Sequence, residues 1–164
     1  MKAQLPDNQT KYSIRVYMLI INSRKEILIS DEYLLDMKMV KFPGGGMEYG
    51  EGTVDCLQRE AMEEFGQNLT NIRHFYTTDH YQKAYFFKDH QLISIYYLAD
   101  LSDEKKIRTS QNPFDFPELT NGQQSFRWVS ITEIKEDDLS FPIDKKVAGL
   151  LKNEYSNRGK DQTG

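Results

Sequence analysis

Residues 42–67 read Phe42-Pro43-Gly44-Gly45-Gly46-Met47-Glu48-Tyr49-Gly50-Glu51-Gly52-Thr53-Val54-Asp55-Cys56-Leu57-Gln58-Arg59-Glu60-Ala61-Met62-Glu63-Glu64-Phe65-Gly66-Gln67. Five of the chain's ten glycines fall within residues 44–52. Such a concentration marks a loop whose backbone takes unusual conformations or comes very close to something. From Thr53 onward Val54, Leu57, Ala61 and Phe65 recur at helical spacing. The pattern predicts an amphipathic helix over 53–65, with Thr53 as its N-cap and Gly66 as its C-cap. A glycine loop therefore runs straight into a helix.

The helix carries a second face. Glu60, Glu63 and Glu64 stand at i, i+3 and i+4, so their side chains leave one sector of the surface, while Glu51 precedes the helix and Glu48 lies in the loop. Like charges at this spacing repel by a few tenths of a kcal/mol each, and the ordinary fate of such a face is solvation. The glycine loop alters that reading by folding back beside the carboxylates. Carboxylate oxygens next to backbone carbonyls suit a hard divalent cation, Mg²⁺ or Mn²⁺. Mg²⁺ typically takes one or two carboxylates plus substrate phosphates, so the pattern points to a phosphorylated ligand.

Outward from this unit, residues 1–11 read as a polar lead-in. Tyr12–Asn22 reads as a strand that alternates and then turns wholly apolar, as a strand buried on both faces does. A turn over residues 22–25 and a second strand over 26–30 predict a hairpin. Residues 31–41 read as less regular. Further strands are expected over 72–80, 92–98 and 125–129. The polar segment 103–124, with Pro113 and Pro117, reads as a loop and as the expected determinant of specificity. A last helix is expected over 144–155, with Val147, Leu150 and Leu151 inward and a frayed polar tail over 156–164. The whole is one mixed α/β domain, 12–155.

Composition narrows the class. The 164 residues carry a formal charge of −4 and a single cysteine. One cysteine excludes an internal disulfide framework and a multi-cysteine zinc site, and it fits a reducing, cytoplasmic setting. The mild acidity speaks against a dedicated nucleic-acid binder. The longest apolar run, Val16–Ile21, is far short of the ~20 residues of a membrane span. No apolar stretch follows Lys2, so no secretory leader is expected.

The spacing Gly45-x5-Glu51-x7-Arg59-Glu60-Ala61-Met62-Glu63-Glu64-Phe65-Gly66 resembles the signature of the Nudix hydrolases. All seven polar and glycine positions of that signature are filled. A chance match at one start position is on the order of one in 10⁸ at ordinary residue abundances. Phe42-Pro43-Gly44-Gly45 before it and Phe126-Arg127-Trp128-Val129 near the end also resemble the family. The resemblance implies an α/β/α sandwich around a mixed sheet, with the signature as a loop–helix–loop. It implies hydrolysis of a nucleoside diphosphate linked to another group, by water attack at phosphorus with Mg²⁺ or Mn²⁺. Glu63 and Glu64 would then be metal carboxylates, the Gly44 carbonyl a further ligand, and Glu60 a ligand or the base that orients water. Arg59 would pair with Glu51 and hold the loop against the helix. A small nucleotide-type substrate is implied, no membrane, and a homodimer is common among relatives.

The departures are specific. Gln67 and Ala61 occupy the two aliphatic slots, which are packing positions. Many relatives place an extra glutamate shortly before the late tryptophan, where this chain reads Asn121-Gly122-Gln123-Gln124-Ser125; Glu118 or no residue would fill that role. Cys56 reads as a small packing residue, His80 as a surface residue and Trp128 as packing. The competing function is a Nudix-fold module that binds a nucleotide-type metabolite without turnover. Such modules usually lose signature carboxylates, and this chain keeps them.

Overall fold

The computed structural model describes residues 11–160. Four strands, β1 (Lys11–Leu19), β2 (Glu26–Leu34), β3 (Met37–Lys41) and β4 (Gly44–Gly46), lead into helix α1 (Thr53–Phe65). Strands β5 (Leu69–Thr77), β6 (His90–Leu101) and β7 (Gln123–Ser130) follow, and helix α2 (Pro142–Lys160) comes last. One sheet has the order β4-β1-β6-β5, the other β3-β2-β7. In the first, β1 and β6 run parallel while β4 and β5 are antiparallel to their neighbours, so the sheet is mixed.

The period-two rule builds the layers. Val16, Met18 and Ile20 project to one side, against Cys56, Leu57 and Ala61 of α1. Tyr17 and Leu19 project to the other, against Ile143, Val147 and Leu151 of α2. Neighbouring residues on β1 thus feed two cores, which is why the strand is apolar at every position from Val16 onward rather than at alternate ones. The sandwich of helix, sheets and helix is the architecture the signature implied.

Several local expectations are corrected. β1 and β2 form no continuous hairpin. They meet only near the turn, through the Ile21–Ile27 bridge, before each joins a different sheet. Asn22 holds that turn by accepting from the backbone N–H groups of Arg24 and Glu26. Residues 31–41 are regular after all. Leu35 and Asp36, with φ of 51° and 58°, make a tight two-residue turn that pairs β2 with β3. The usual Asn-Gly or Asp-Gly signal for that turn is absent from the sequence. β5 starts at Leu69 and ends at Thr77, β6 is longer than expected at both ends, and β7 begins at Gln123. Helix α2 starts at Pro142 and continues through Lys160, and Leu150 lies on its exposed side rather than in the core.

On α1, Leu57 and Ala61 are fully buried, but Val54 is exposed. Gly52, not Thr53, is the N-cap; Asp55 accepts its backbone N–H, and the Thr53 hydroxyl meets the Tyr97 hydroxyl at 2.6 Å. Gly66 is the left-handed C-cap as expected. Gln67 is buried, yet both ends of its amide bond the Asp103 backbone, at 3.0 and 2.8 Å. The polar residue in an aliphatic slot therefore leaves no unsatisfied group, and it ties the end of α1 to the 103–122 segment. Leu57 is the side chain that seats α1 on the sheets. Leu57→Ala should lower stability by about 3 kcal/mol through transfer and cavity terms, read as the shift of a denaturant midpoint at unchanged slope.

Candidate functional site

The site begins with two glycines. Gly44 lies opposite Tyr17 with φ of 132°, and a Cβ there would stand 2.2 Å from the Val16 carbonyl oxygen. A Cβ on Gly45 would stand 2.1 Å from a Glu60 carboxylate oxygen. Gly44 excludes any side chain, and a side chain at Gly45 would push the Glu60 carboxylate aside, so β4 lies flat on β1 on one side and on that carboxylate on the other.

Arg59 links the parts. Its Nε and Nη2 donate to the two oxygens of Glu51, at 2.5 and 3.0 Å. The same Nη2 donates to the Gly46 carbonyl at 2.9 Å, and Nη1 to Glu60 at 2.9 Å. Glu63 is at 3.4 Å. The pairing expected from the x7 spacing is present, in bidentate form. Arg59, with the help of the Glu48 N–H, holds the Glu51 carboxyl down at about 2. Cys56 sits buried beneath, its thiol pushed up to about 12 by burial, as fits a packing residue.

Glu64 has a different environment. Its Oε1 accepts from the Gln124 amide at 2.8 Å, while Oε2 is buried and has no hydrogen-bond partner. Burial pushes this carboxyl up to about 7. Gln124 also reaches Ser30 and Glu32. Glu32 in turn holds Lys41, whose Nζ stands 2.9 Å from Glu32 and donates to the Gly44 carbonyl at 2.9 Å. The Gly44 carbonyl is thus engaged by Lys41.

Glu60, Glu63, Glu64 and the three glycines line one cavity of about 400 Å³, together with Lys41, Arg15, Glu32 and Gln124. Among the described residues no three His, Cys, Asp or Glu groups converge tightly enough to hold a metal ion as they stand. Arg59 draws Glu60 and Glu63 one way, and Gln124 holds Glu64. The buried, unpartnered oxygen of Glu64 is nonetheless an atom that a cation would satisfy, with two further carboxylates on the same wall, so the residues fit a hard divalent ion.

A second cavity, of about 420 Å³, shares Arg15, Glu32, Leu34 and Lys41 with the first. Tyr85, Phe86 and Phe141 cluster on it with ring centroids 5.1 to 6.1 Å apart, and Asp144 lies at its base. Asp144 accepts the Tyr96 hydroxyl at 2.5 Å, and its other oxygen is buried without a partner. The 103–124 segment lines neither this cavity nor most of the carboxylate one. It walls a third space, on the far side of Glu64.

The sequence brought forward Glu51, Arg59, Glu60, Glu63, Glu64 and Gly44, and all six gather here. Glu118 is exposed and lies outside the cavity; from the 121–125 stretch Gln124 reaches the site, through its amide on Glu64. Missed were Glu32, Lys41, Arg15 and Asp144. Strand alternation could have found Glu32 beside Ser30, had 31–41 been read as strands. Asp144 stood inside a predicted helix, with nothing to mark it as buried.

A family model described as the NUDIX domain matches residues 11–150. The chain belongs to the Nudix family. Solved structures share its fold. A MutT from a structure and function analysis of the Aliivibrio salmonicida and Vibrio cholerae proteins superposes with a TM-score of 0.58 at 23% identity, covering 88% of this chain and 99% of that one. A NUDIX hydrolase from Nitrosomonas europaea gives 0.59 at 17% identity, over 84% and 86% of the two chains. The E. coli ORF135 protein gives 0.57 at 19%, over 85% and 88%. In this Nudix domain the signature helix, the glycine strand and the carboxylate cavity are one connected unit.

Arg59 and Asp144 each give a testable expectation. Arg59→Lys keeps the charge but loses the fork, so turnover should fall further than stability. Arg59→Ala also leaves Glu51 unpaired and should lower both, as melting temperature and metal-saturated rate will show. Asp144 gives a pH dependence. Burial pushes its carboxyl up to about 6, from 3.8 in the unfolded chain, so the folded state keeps the proton longer. Its contribution to stability is fullest below the unfolded value and falls as pH rises through the folded one. Asp144→Asn, whose amide oxygen still accepts from Tyr96, should melt roughly 2–6 °C above the unmodified protein at about pH 8, keep about half of that margin near pH 5 and lose it below pH 3.8.

Proposed function

We propose that this Nudix-type pyrophosphohydrolase cleaves a nucleoside diphosphate joined to a second group, by water attack at phosphorus, with Mg²⁺ or Mn²⁺ held by Glu60, Glu63 and Glu64. The observation that carries the reading is Glu64. One oxygen is bonded by Gln124; the other is buried, unpartnered and part of a carboxylate-lined cavity. An unsatisfied buried carboxylate oxygen costs stability, and a cation held between it and the neighbouring carboxylates would offset that cost.

When bound, the cation supplies neutralisation of phosphate charge and a water of lowered pKa. The chain's own residues supply position. Arg59 fixes the glycine loop and Glu60 relative to α1, so the reacting groups are presented by a rigid helix rather than by a free loop. Glu60 serves as a further ligand or as the base that orients water. Arg15 and Lys41 put positive charge on the same cavity wall, within electrostatic reach of Glu32, Glu60 and Glu64. The larger aromatic-walled cavity takes the organic part of the substrate. Retention of all the signature carboxylates favours hydrolysis over ligand binding without turnover. Among the described residues no helix is long and apolar enough to cross a membrane.

The test is a panel of nucleoside diphosphate derivatives with Mg²⁺ or Mn²⁺, followed by phosphate release in the presence of a coupling phosphatase. At least one derivative should be turned over, Ca²⁺ should substitute poorly, and excess chelator should abolish the signal. Glu64→Gln should fold as well as the unmodified protein and lose on the order of 100-fold in rate, because several kcal/mol of charge stabilisation at phosphorus go with the cation. Full activity in chelator, or in that variant at saturating Mg²⁺, sinks the reading.

A further inference from the structure

Arg15 is the one residue on β1 whose long side chain reaches both cavities. Its Nε donates to the Tyr17 hydroxyl at 2.7 Å, and the guanidinium lies 5.7 Å from the Tyr17 ring centre. That ring is buried between the sheets and α2, so the arginine stem is anchored. The tip is not engaged. Among the described residues neither terminal nitrogen of Arg15 has a hydrogen-bond partner, and Nη1 lies only 3.8 Å from where a Gly46 Cβ would stand. Glu32 and Glu60 act on the guanidinium through space. Lys41, the other cation at this junction, is already committed to Glu32 and the Gly44 carbonyl.

A guanidinium edge held part-buried, aimed at the throat between an aromatic cavity and a carboxylate cavity, has free donors in a fork that matches two phosphate oxygens. The cavity on one side, about 420 Å³ and walled by Tyr85, Phe86 and Phe141, is of the size that holds a small aromatic ligand. We propose that Arg15 is the phosphate anchor at this throat, so that the preferred substrates carry an aromatic group on a sugar phosphate whose first phosphate lies under Arg15 and whose scissile bond lies toward Glu64. Arg15 is then a positioning residue that selects for the organic side of the substrate. The inference rests on the pyrophosphohydrolase reading for its direction, but not for the binding it describes.

The experiment compares binding with and without the phosphate. Adenosine and guanosine, each as the free nucleoside and as the 5′-monophosphate, are titrated calorimetrically into the unmodified protein, Arg15→Gln and Arg15→Lys. In the unmodified protein at least one monophosphate should bind roughly tenfold or more tighter than its nucleoside, as charge-assisted hydrogen bonds require. Arg15→Gln should bring that ratio close to one, and Arg15→Lys should leave an intermediate value, since the charge stays and the fork is lost. A purely structural arginine would weaken nucleoside and monophosphate alike. Should Arg15→Gln fail to fold, the intermediate ratio in Arg15→Lys carries the test by itself. The proposal is overturned by a ratio that survives either variant, by equal loss for both ligands, or by no preference for the monophosphate in the unmodified protein. Arg15-dependent phosphate binding together with no hydrolysis of any nucleotide would remove the enzymatic reading and leave the anchor standing. Hydrolysis with an Arg15-independent ratio would do the reverse.

Discussion

The Arg59 fork is the interaction on which the site depends. One side chain bonds the loop carboxylate Glu51, the loop carbonyl of Gly46 and the helix carboxylate Glu60. The segment it organises would otherwise be unstable by its own charges: Glu48, Glu51, Glu60, Glu63 and Glu64 all fall within seventeen residues. A lysine, with three donors on a single nitrogen, could balance one of those charges but could not span the four oxygens that the fork reaches on three groups. The bareness of Gly44 and Gly45 completes the arrangement, because the fork can pull the loop down only if no Cβ stands in the way.

Two carboxylates escape this balancing, and they mark the two ends of the binding region. Glu64 and Asp144 each have one oxygen satisfied and one buried without a partner, and burial raises both. A folded protein tolerates few such atoms, since each carries a desolvation cost with no compensating bond. Their separation is informative. Glu64 lies among acids and a glycine carbonyl edge, where a cation fits. Asp144 lies beneath aromatic rings, where a neutral donor on an organic ligand fits better. Between them stand the positive ends of Arg15 and Lys41. Glu32, paired with Lys41, shares that junction, so the cleft runs from carboxylates through a mixed-charge junction to aromatic rings.

How much of this was legible in the residues follows from range. Periodicity and caps are local, so helix α1, its Gly66 stop and the doubly buried β1 could be read directly. The signature spacing carried the Glu51–Arg59 pairing because both partners lie within one loop and two helical turns. Local rules failed where a long-range contact decided. The turn at Leu35–Asp36 has no glycine or asparagine, and β3 exists because β2 offers it a partner, not because Met37–Lys41 prefers to be extended. Gln124 could not be connected to Glu64 from the sequence, being sixty positions away and on a strand whose register is set by β2. Asp144 lies on the cavity because α2 packs it beneath Tyr96, a contact forty-eight positions away in the sequence.

The parallel pairing of β1 with β6 also has a consequence in time. Residues 11–19 find their central partner in residues 90–98, and on the other flank only the three residues of β4. A chain emerging in order from the ribosome therefore presents Val16–Ile21, its most apolar stretch, long before the strand that will cover it has been made. Non-local parallel pairing of this kind is intrinsically slow, and an uncovered apolar strand is a template for other chains. The arrangement that gives the site its doubly buried floor is thus the same one that leaves the first half of the chain without the strand its most apolar segment pairs with.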